Sequence, residues 1–177
     1  MFSMGMPLWA GRTVATIITP SIISFDESGI SDGATLTTEY AINGLTFSGS
    51  GARATSTGAT PVPDPAIGSG GPGLPGGQRV FPVSGAGQAF TITAAVGKVF
   101  SSFVYDFTSN SGAGVTITAK DSLGSDVSVV VVGTSGSLLV WLANQTVDCS
   151  GLNVFSVTFM QGGTSRFAID YLRTTVA

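Results

Sequence analysis

Hydrophobic and polar residues alternate with a period of two along most of the chain from Ile22 onward. In one stretch, for example, Phe103, Tyr105 and Phe107 fall on the same face of a strand. No window of a dozen residues carries the apolar stripe of an amphipathic helix. The pattern predicts strands at about Ile22–Phe25, Tyr40–Phe47, Gln88–Ala95, Val99–Thr108, Val115–Asp121, Val127–Val132, Leu138–Leu142, Val154–Met160 and Arg166–Arg173, and a shorter one near Arg79–Val83.

Short strands separated by Gly- and Ser-rich turns are typical of sandwich folds. Turn signals of this kind occur at Ser111–Gly114 and Leu123–Asp126. We therefore predict an all-β fold, a two-sheet antiparallel jelly-roll sandwich over residues 21–177. Ser48–Gln78 interrupts the pattern with many prolines and glycines, which favours a long loop held by its own domain or by another chain.

The first twenty residues form a separate N-terminal arm in this interpretation. They contain scattered apolar side chains, and Arg12 follows these residues rather than preceding them, unlike the early cation of a signal peptide. The arm, Met1–Pro20, either folds back on its own domain or docks onto another subunit. We expect the second arrangement to be needed for assembly.

Composition excludes several classes of function. The 177 residues include no histidine, one cysteine and only 10% charged residues, with 7 Lys and Arg against 10 Asp and Glu. Histidine-dependent catalysis and disulfide frameworks are therefore ruled out, and no basic cluster suggests nucleic acid. No apolar run is long enough for a membrane helix. Lacking a nucleophile–base pair, the chain is not expected to be an enzyme, and Cys149 is interpreted as a small buried hydrophobe.

Carboxylates near the two ends of the predicted sandwich suggest a metal site. Asp26 and Glu27 follow the first strand, and Asp170 interrupts the last apolar strand. If these strands are neighbours, the three carboxylates could converge on a structural calcium ion, which prefers oxygen ligands. Calcium is the one cofactor that the residues suggest. The alternative is that Asp170 is exposed, or bonded to Arg173 or to a backbone N–H.

Several segments resemble a known group of jelly-roll modules. They are Ile23–Glu27, Tyr40–Phe47, Gly97–Phe103, Val115–Gly124 and Phe167–Leu172. Together they resemble modules of bacterial exported proteins that often carry PEP-CTERM sorting tails and are similar to carbohydrate-binding sandwiches. In such modules an acidic residue after the first strand and the aspartate of the last strand commonly serve a structural calcium ion, which implies Asp26 or Glu27 with Asp170. The resemblance implies a non-catalytic binding or structural module.

The chain has neither an export signal nor a sorting tail after its last predicted strand, so we expect a complete small protein. A free-standing jelly roll with an apolar arm and few charges is similar to bacteriophage virion proteins. The leading hypothesis is a capsid decoration (cement) protein, made in the host cytoplasm and displayed on the virion surface. It would form homo-oligomers and bridge a major capsid or other virion protein through the arm and loop, with β-addition at a sheet edge as a second mode. The alternative is an extracellular calcium-dependent carbohydrate-binding or surface-adhesion module with a glycan partner.

Overall fold

A computed structural model describes residues 21–23, 25, 34–49, 53–55, 79–81, 89–109, 114–132, 142–162 and 167–177. The predicted N-terminal arm and most of the predicted loop over 48–78 lie outside the described residues. Two of the three candidate calcium ligands, Asp26 and Glu27, also lie outside them.

The described residues form twelve strands. They are β1 (Ser21–Ile23), β2 (Ala34–Thr35), β3 (Leu45–Ser48), β4 (Arg53–Thr55), β5 (Arg79–Phe81), β6 (Ala89–Ala94), β7 (Phe100–Ser109), β8 (Val115–Lys120), β9 (Asp126–Val132), β10 (Leu142–Val147), β11 (Ser156–Gln161) and β12 (Phe167–Val176). A short 3₁₀ turn, Ala41–Asn43, precedes β3. These residues contain no α-helix, and therefore no helix that is long and apolar enough to cross a membrane.

The strands form two antiparallel sheets. The larger sheet has the order β10-β7-β12-β5-β4-β2, with β1 also paired to β12, and the smaller sheet has the order β3-β6-β11-β8-β9. In the larger sheet β7 and β12 are both ten residues long, and they pair with each other along most of their length. The prediction of an all-β, two-sheet sandwich consistent with a jelly roll is confirmed. The first and last strands are neighbours, as the calcium hypothesis requires, since Ile23 pairs with Leu172.

The core lies between the sheets and is rich in aromatic rings. Phe103, Tyr105 and Phe107 point inward from β7, as the alternation predicts, and each is at most 1% exposed. Phe159 of β11 reaches them from the other sheet, with its ring centroid 5.1 Å from that of Tyr105. The contact joins the middle strand of the smaller sheet to the larger sheet, so aromatic packing holds the layers together.

Three predicted elements differ from the structure. The strand predicted at Tyr40–Phe47 begins only at Leu45, because the chain first turns through Ala41–Asn43 and Gly44 then takes a left-handed φ of 76°. The strand predicted at Leu138–Leu142 is wrong in its end: strand β10 continues from Leu142 through polar residues to Val147, while residues 138–141 lie outside the described residues. Part of the predicted long loop forms strand β4, which lies next to the edge strand β2. Its three residues are too few to show an alternation of apolar and polar positions.

Candidate ligand-binding face

Two β-bulges flank the middle of β7, one in each neighbouring strand, and a further shift in pairing lies near the end of β12, between Thr175 and Val176. In β10 the pairing with β7 shifts between Leu142 and Gln145, and in β12 it shifts between Asp170 and Arg173. Each bulge contains a non-glycine residue in the left-handed region, Asn144 at φ 56° and Tyr171 at φ 45°. Such residues are uncommon and strained, and bulges of this kind often lie beside functional sites.

A buried carboxylate stabilises the first bulge and forms an ion pair with an arginine side chain. Asp106 lies mid-strand in β7 and is 1% exposed. Its Oδ1 accepts a hydrogen bond from the backbone N–H of Asn144 at 2.9 Å and another from Nη2 of Arg173 at 2.8 Å. The side chain of Arg173 remains 27% exposed. Arg173 therefore connects a buried acceptor to the surface of the sheet.

Asp170 lies directly opposite Asp106 in the pairing of β12 with β7 and is 4% exposed. Its Oδ1 accepts the backbone N–H of Tyr171 at 2.7 Å, so it holds the second bulge. The alternative prediction, that Asp170 bonds to a backbone N–H, is confirmed. Arg173, another partner considered for Asp170, forms an ion pair with Asp106. No group of three or more metal-binding side chains occurs among the described residues. Because Asp26 and Glu27 lie outside them, the calcium site stays a prediction.

An open groove lies on the same face, between the start of β7 and the end of β10. It encloses about 280 Å³, and its lining is divided about equally between polar and apolar groups. The lining residues are Ser101, Ser102, Phe103, Val104, Thr146, Val147, Asp148, Cys149 and Ser150. Val104 of β7 pairs with Arg173 of β12 on one side and with Thr146 of β10 on the other. Because directly paired residues lie on the same face of a sheet, the groove and the Asp106–Arg173 pair are neighbours on one surface.

The thiol in this groove is chemically inert. Cys149 is 6% exposed, and its Sγ donates to the carbonyl of Val147 at 3.5 Å. Burial, and secondly the negative charge of Asp148, raise the pKa of the Cys149 thiol to about 11. The groove therefore offers hydroxyl and carboxylate groups to a ligand, and its thiol is almost entirely protonated at neutral pH.

We expect Cys149 to react slowly with a disulfide reagent at pH 8 in the folded protein. A pKa near 11 leaves about one thiol in a thousand ionised at that pH, against about one in ten for a pKa of 9. Labelling should thus be about a hundredfold slower than in urea, and it should accelerate as the pH rises toward 11. Equal rates in the folded and unfolded protein would contradict the burial of this thiol.

The sequence pattern did not reveal that Asp106, Asn144 and Arg173 form one cluster. The available signal was Asp106 itself, an isolated acid between Tyr105 and Phe107 in an aromatic strand, like Asp170 in the last strand. Some of the other described acids cap turns. Asp121, for example, accepts the backbone N–H groups of two residues in its own turn at 2.9 and 2.8 Å.

Comparison with known proteins gives neither a matching family model nor a matching curated relative. Among solved structures, the chain is similar to an aspartate-to-alanine mutant of the family 29 carbohydrate-binding module CBM29-2, complexed with mannohexaose. That match has 18% identity and a TM-score of 0.48, over 88% of this chain and 90% of the other. A lysine-to-alanine mutant of CBM29-2 complexed with cellulohexaose has 16% identity and a TM-score of 0.46, over 88% and 89%. A further structure of a family 29 module has 16% identity and a TM-score of 0.46, over 88% and 87%.

Proposed function

We propose that this chain is a non-catalytic carbohydrate-binding module, and that its ligand surface is the outer face of the larger sheet. The observation that carries the proposal is the polar groove of about 280 Å³ beside the partly exposed side chain of Arg173. Sugar hydroxyls both donate and accept hydrogen bonds. They match a surface of serine and threonine hydroxyls, a carboxylate and a guanidinium.

The support for this face is its rigidity as well as its chemistry. The polar groups lie mainly on paired strands rather than on long loops, and Asp106 fixes both Arg173 and the bulge at Asn144. No large aromatic side chain is among the exposed hydrophobic residues described. We expect recognition through hydrogen bonds, with affinities weaker than micromolar.

The capsid-decoration hypothesis stays a prediction, because the arm and loop on which it depends lie largely outside the described residues. The absence of enzymatic activity also stays a prediction. The described geometry supports the glycan-binding alternative, because the groove presents the hydroxyls of Ser101, Ser102 and Thr146 beside the partly exposed Arg173.

The test is to measure glycan binding by a variant with a filled groove. We expect the protein to bind at least one member of a glycan panel that includes mannohexaose and cellulohexaose. Ser102→Trp should weaken that binding at least tenfold by filling the groove. Thr118→Trp is the matched control, because Thr118 is a partly exposed residue on the outer face of the smaller sheet. Calorimetric titration and a melting curve of each variant separate lost binding from lost folding.

Two results would contradict the proposal. One is the failure of the folded protein to bind any glycan of the panel. The other is equal affinity of Ser102→Trp and Thr118→Trp for a glycan that does bind, since this would place the site elsewhere.

A further inference from the structure

Strands β9 and β10 form the edges of their sheets on the same lateral side of the sandwich, and no other described strand covers that side. In the described chain β9 pairs with β8 alone, so one side of its backbone has no strand neighbour there. A cleft of about 70 Å³ lies between the two edges. Its lining residues are Tyr105, Ile117, Ala119, Ser128, Val130, Gln145, Thr146 and Val147.

Strand β9 has unusually high apolar exposure for an edge strand. Val129, Val130 and Val131 are 55%, 45% and 67% exposed. Val130 pairs with buried Ile117 and lines the cleft, so it occupies a core-facing position and is nevertheless almost half exposed. Edge strands of soluble proteins are normally protected by charges or proline. From Val127 to Val132 this strand has neither.

We propose that β9 is a self-association edge, at which a second copy of this chain adds its own β9 antiparallel to form one continuous sheet. A bulge between Ala119 and Lys120 in the pairing of β8 with β9 disturbs the start of the strand. The regular segment is therefore 128–132, which is centred on Val130. A two-fold axis there places Val130 opposite Val130 of the second copy and covers both lateral clefts at once.

The charge pattern identifies a second copy, rather than a charged partner, as the occupant. The paired segment is neutral, and the nearest charge, Asp126, lies outside it in an ion pair with Lys120 at 2.6 Å. Antiparallel self-pairing therefore brings no like charges together and matches valine with valine. Because a single strand pair buries less area than a standard interface, we expect a reversible monomer–dimer equilibrium.

Analytical ultracentrifugation of the full chain tests this proposal directly. The wild-type protein should shift from monomer to dimer as its concentration rises, and Val130→Lys should stay monomeric. Met160→Lys is the matched control, because Met160 is 44% exposed, against 45% for Val130, and lies on β11 away from the edge. It should dimerise like the wild type. Melting curves of both variants verify that they are folded.

A cysteine at the two-fold axis provides a second test that does not depend on losing an interaction. Directly opposite antiparallel residues have Cα atoms about 4.5–5.5 Å apart, which a disulfide can span. Oxidised Val130→Cys should therefore form a covalent dimer, whereas Met160→Cys should not. Native Cys149 is buried and does not compete. A monomeric wild type at every concentration, a dimer unaffected by Val130→Lys, or equal cross-linking of the two cysteine variants would overturn the proposal. None of these results depends on glycan binding.

Discussion

Replacing Phe159 with alanine is expected to lower the free energy of unfolding by about 4 kcal/mol, within the usual range for a buried phenylalanine. Phe159 is 0% exposed and lies on β11, the middle strand of the smaller sheet. Its ring stacks on Phe90 of its own sheet at 5.1 Å and meets Tyr105 of the other sheet edge-on at 5.1 Å. Phe103 and Phe167 lie 6.2 and 6.3 Å away.

The large effect arises because the removed ring has neighbours in both layers. A cavity between two paired sheets collapses poorly, so the transfer and cavity costs add. Met160→Ala, one residue further along the same strand, is the control. Met160 is 44% exposed, and its truncation should change stability by less than about 1 kcal/mol. Urea unfolding measures both variants, and a loss for Phe159→Ala as small as that for Met160→Ala would contradict the described core.

Removing the guanidinium of Arg173 is the second substitution with a large expected effect. Arg173→Ala leaves the carboxylate of Asp106, 1% exposed, without its cationic partner. Breaking a buried ion pair in this way typically costs about 3–5 kcal/mol. Because the Arg173 side chain keeps 27% exposure, we expect a loss near the lower limit, about 3 kcal/mol.

The exposed ion pair on the other sheet is the natural control. Lys120 and Asp126 are 2.6 Å apart, but their side chains are 39% and 52% exposed. Water screens such a pair, so Lys120→Ala should cost less than about 1 kcal/mol. Denaturant titration at neutral pH compares the two variants. Equal small losses would show that the pair between Asp106 and Arg173 contributes no more to stability than the exposed pair does.

The strands of this fold were predictable where alternation is strict. Phe103, Tyr105 and Phe107 identify the core face of β7 without any partner strand, because side-chain direction follows from local pleating alone. β10 was less predictable, since its segment Leu142–Val147 is mostly polar and lies at a sheet edge. The polar residues carry no periodic signal to mark the strand.

The candidate site was less predictable than the fold, for a geometric reason. A bulge exists only relative to a partner strand, so nothing in β12 alone reveals the shift between Asp170 and Arg173. The ion pair between Asp106 and Arg173 joins residues 67 positions apart. Their contact depends on the register of two ten-residue strands, and a slip of one residue would place them on opposite faces.

The most direct test of the proposed function is to map glycan binding residue by residue by NMR. Amide resonances of the isotope-labelled protein would be followed during titration with mannohexaose, cellulohexaose and the glycan bound most tightly in the panel. If the groove is the binding site, the largest shifts will occur along it, at Ser102, Val104 and Thr146, and continue to Arg173. Shifts concentrated on the opposite face, at Thr91, Thr118 and Thr158, or no shifts with any glycan, would contradict the proposal.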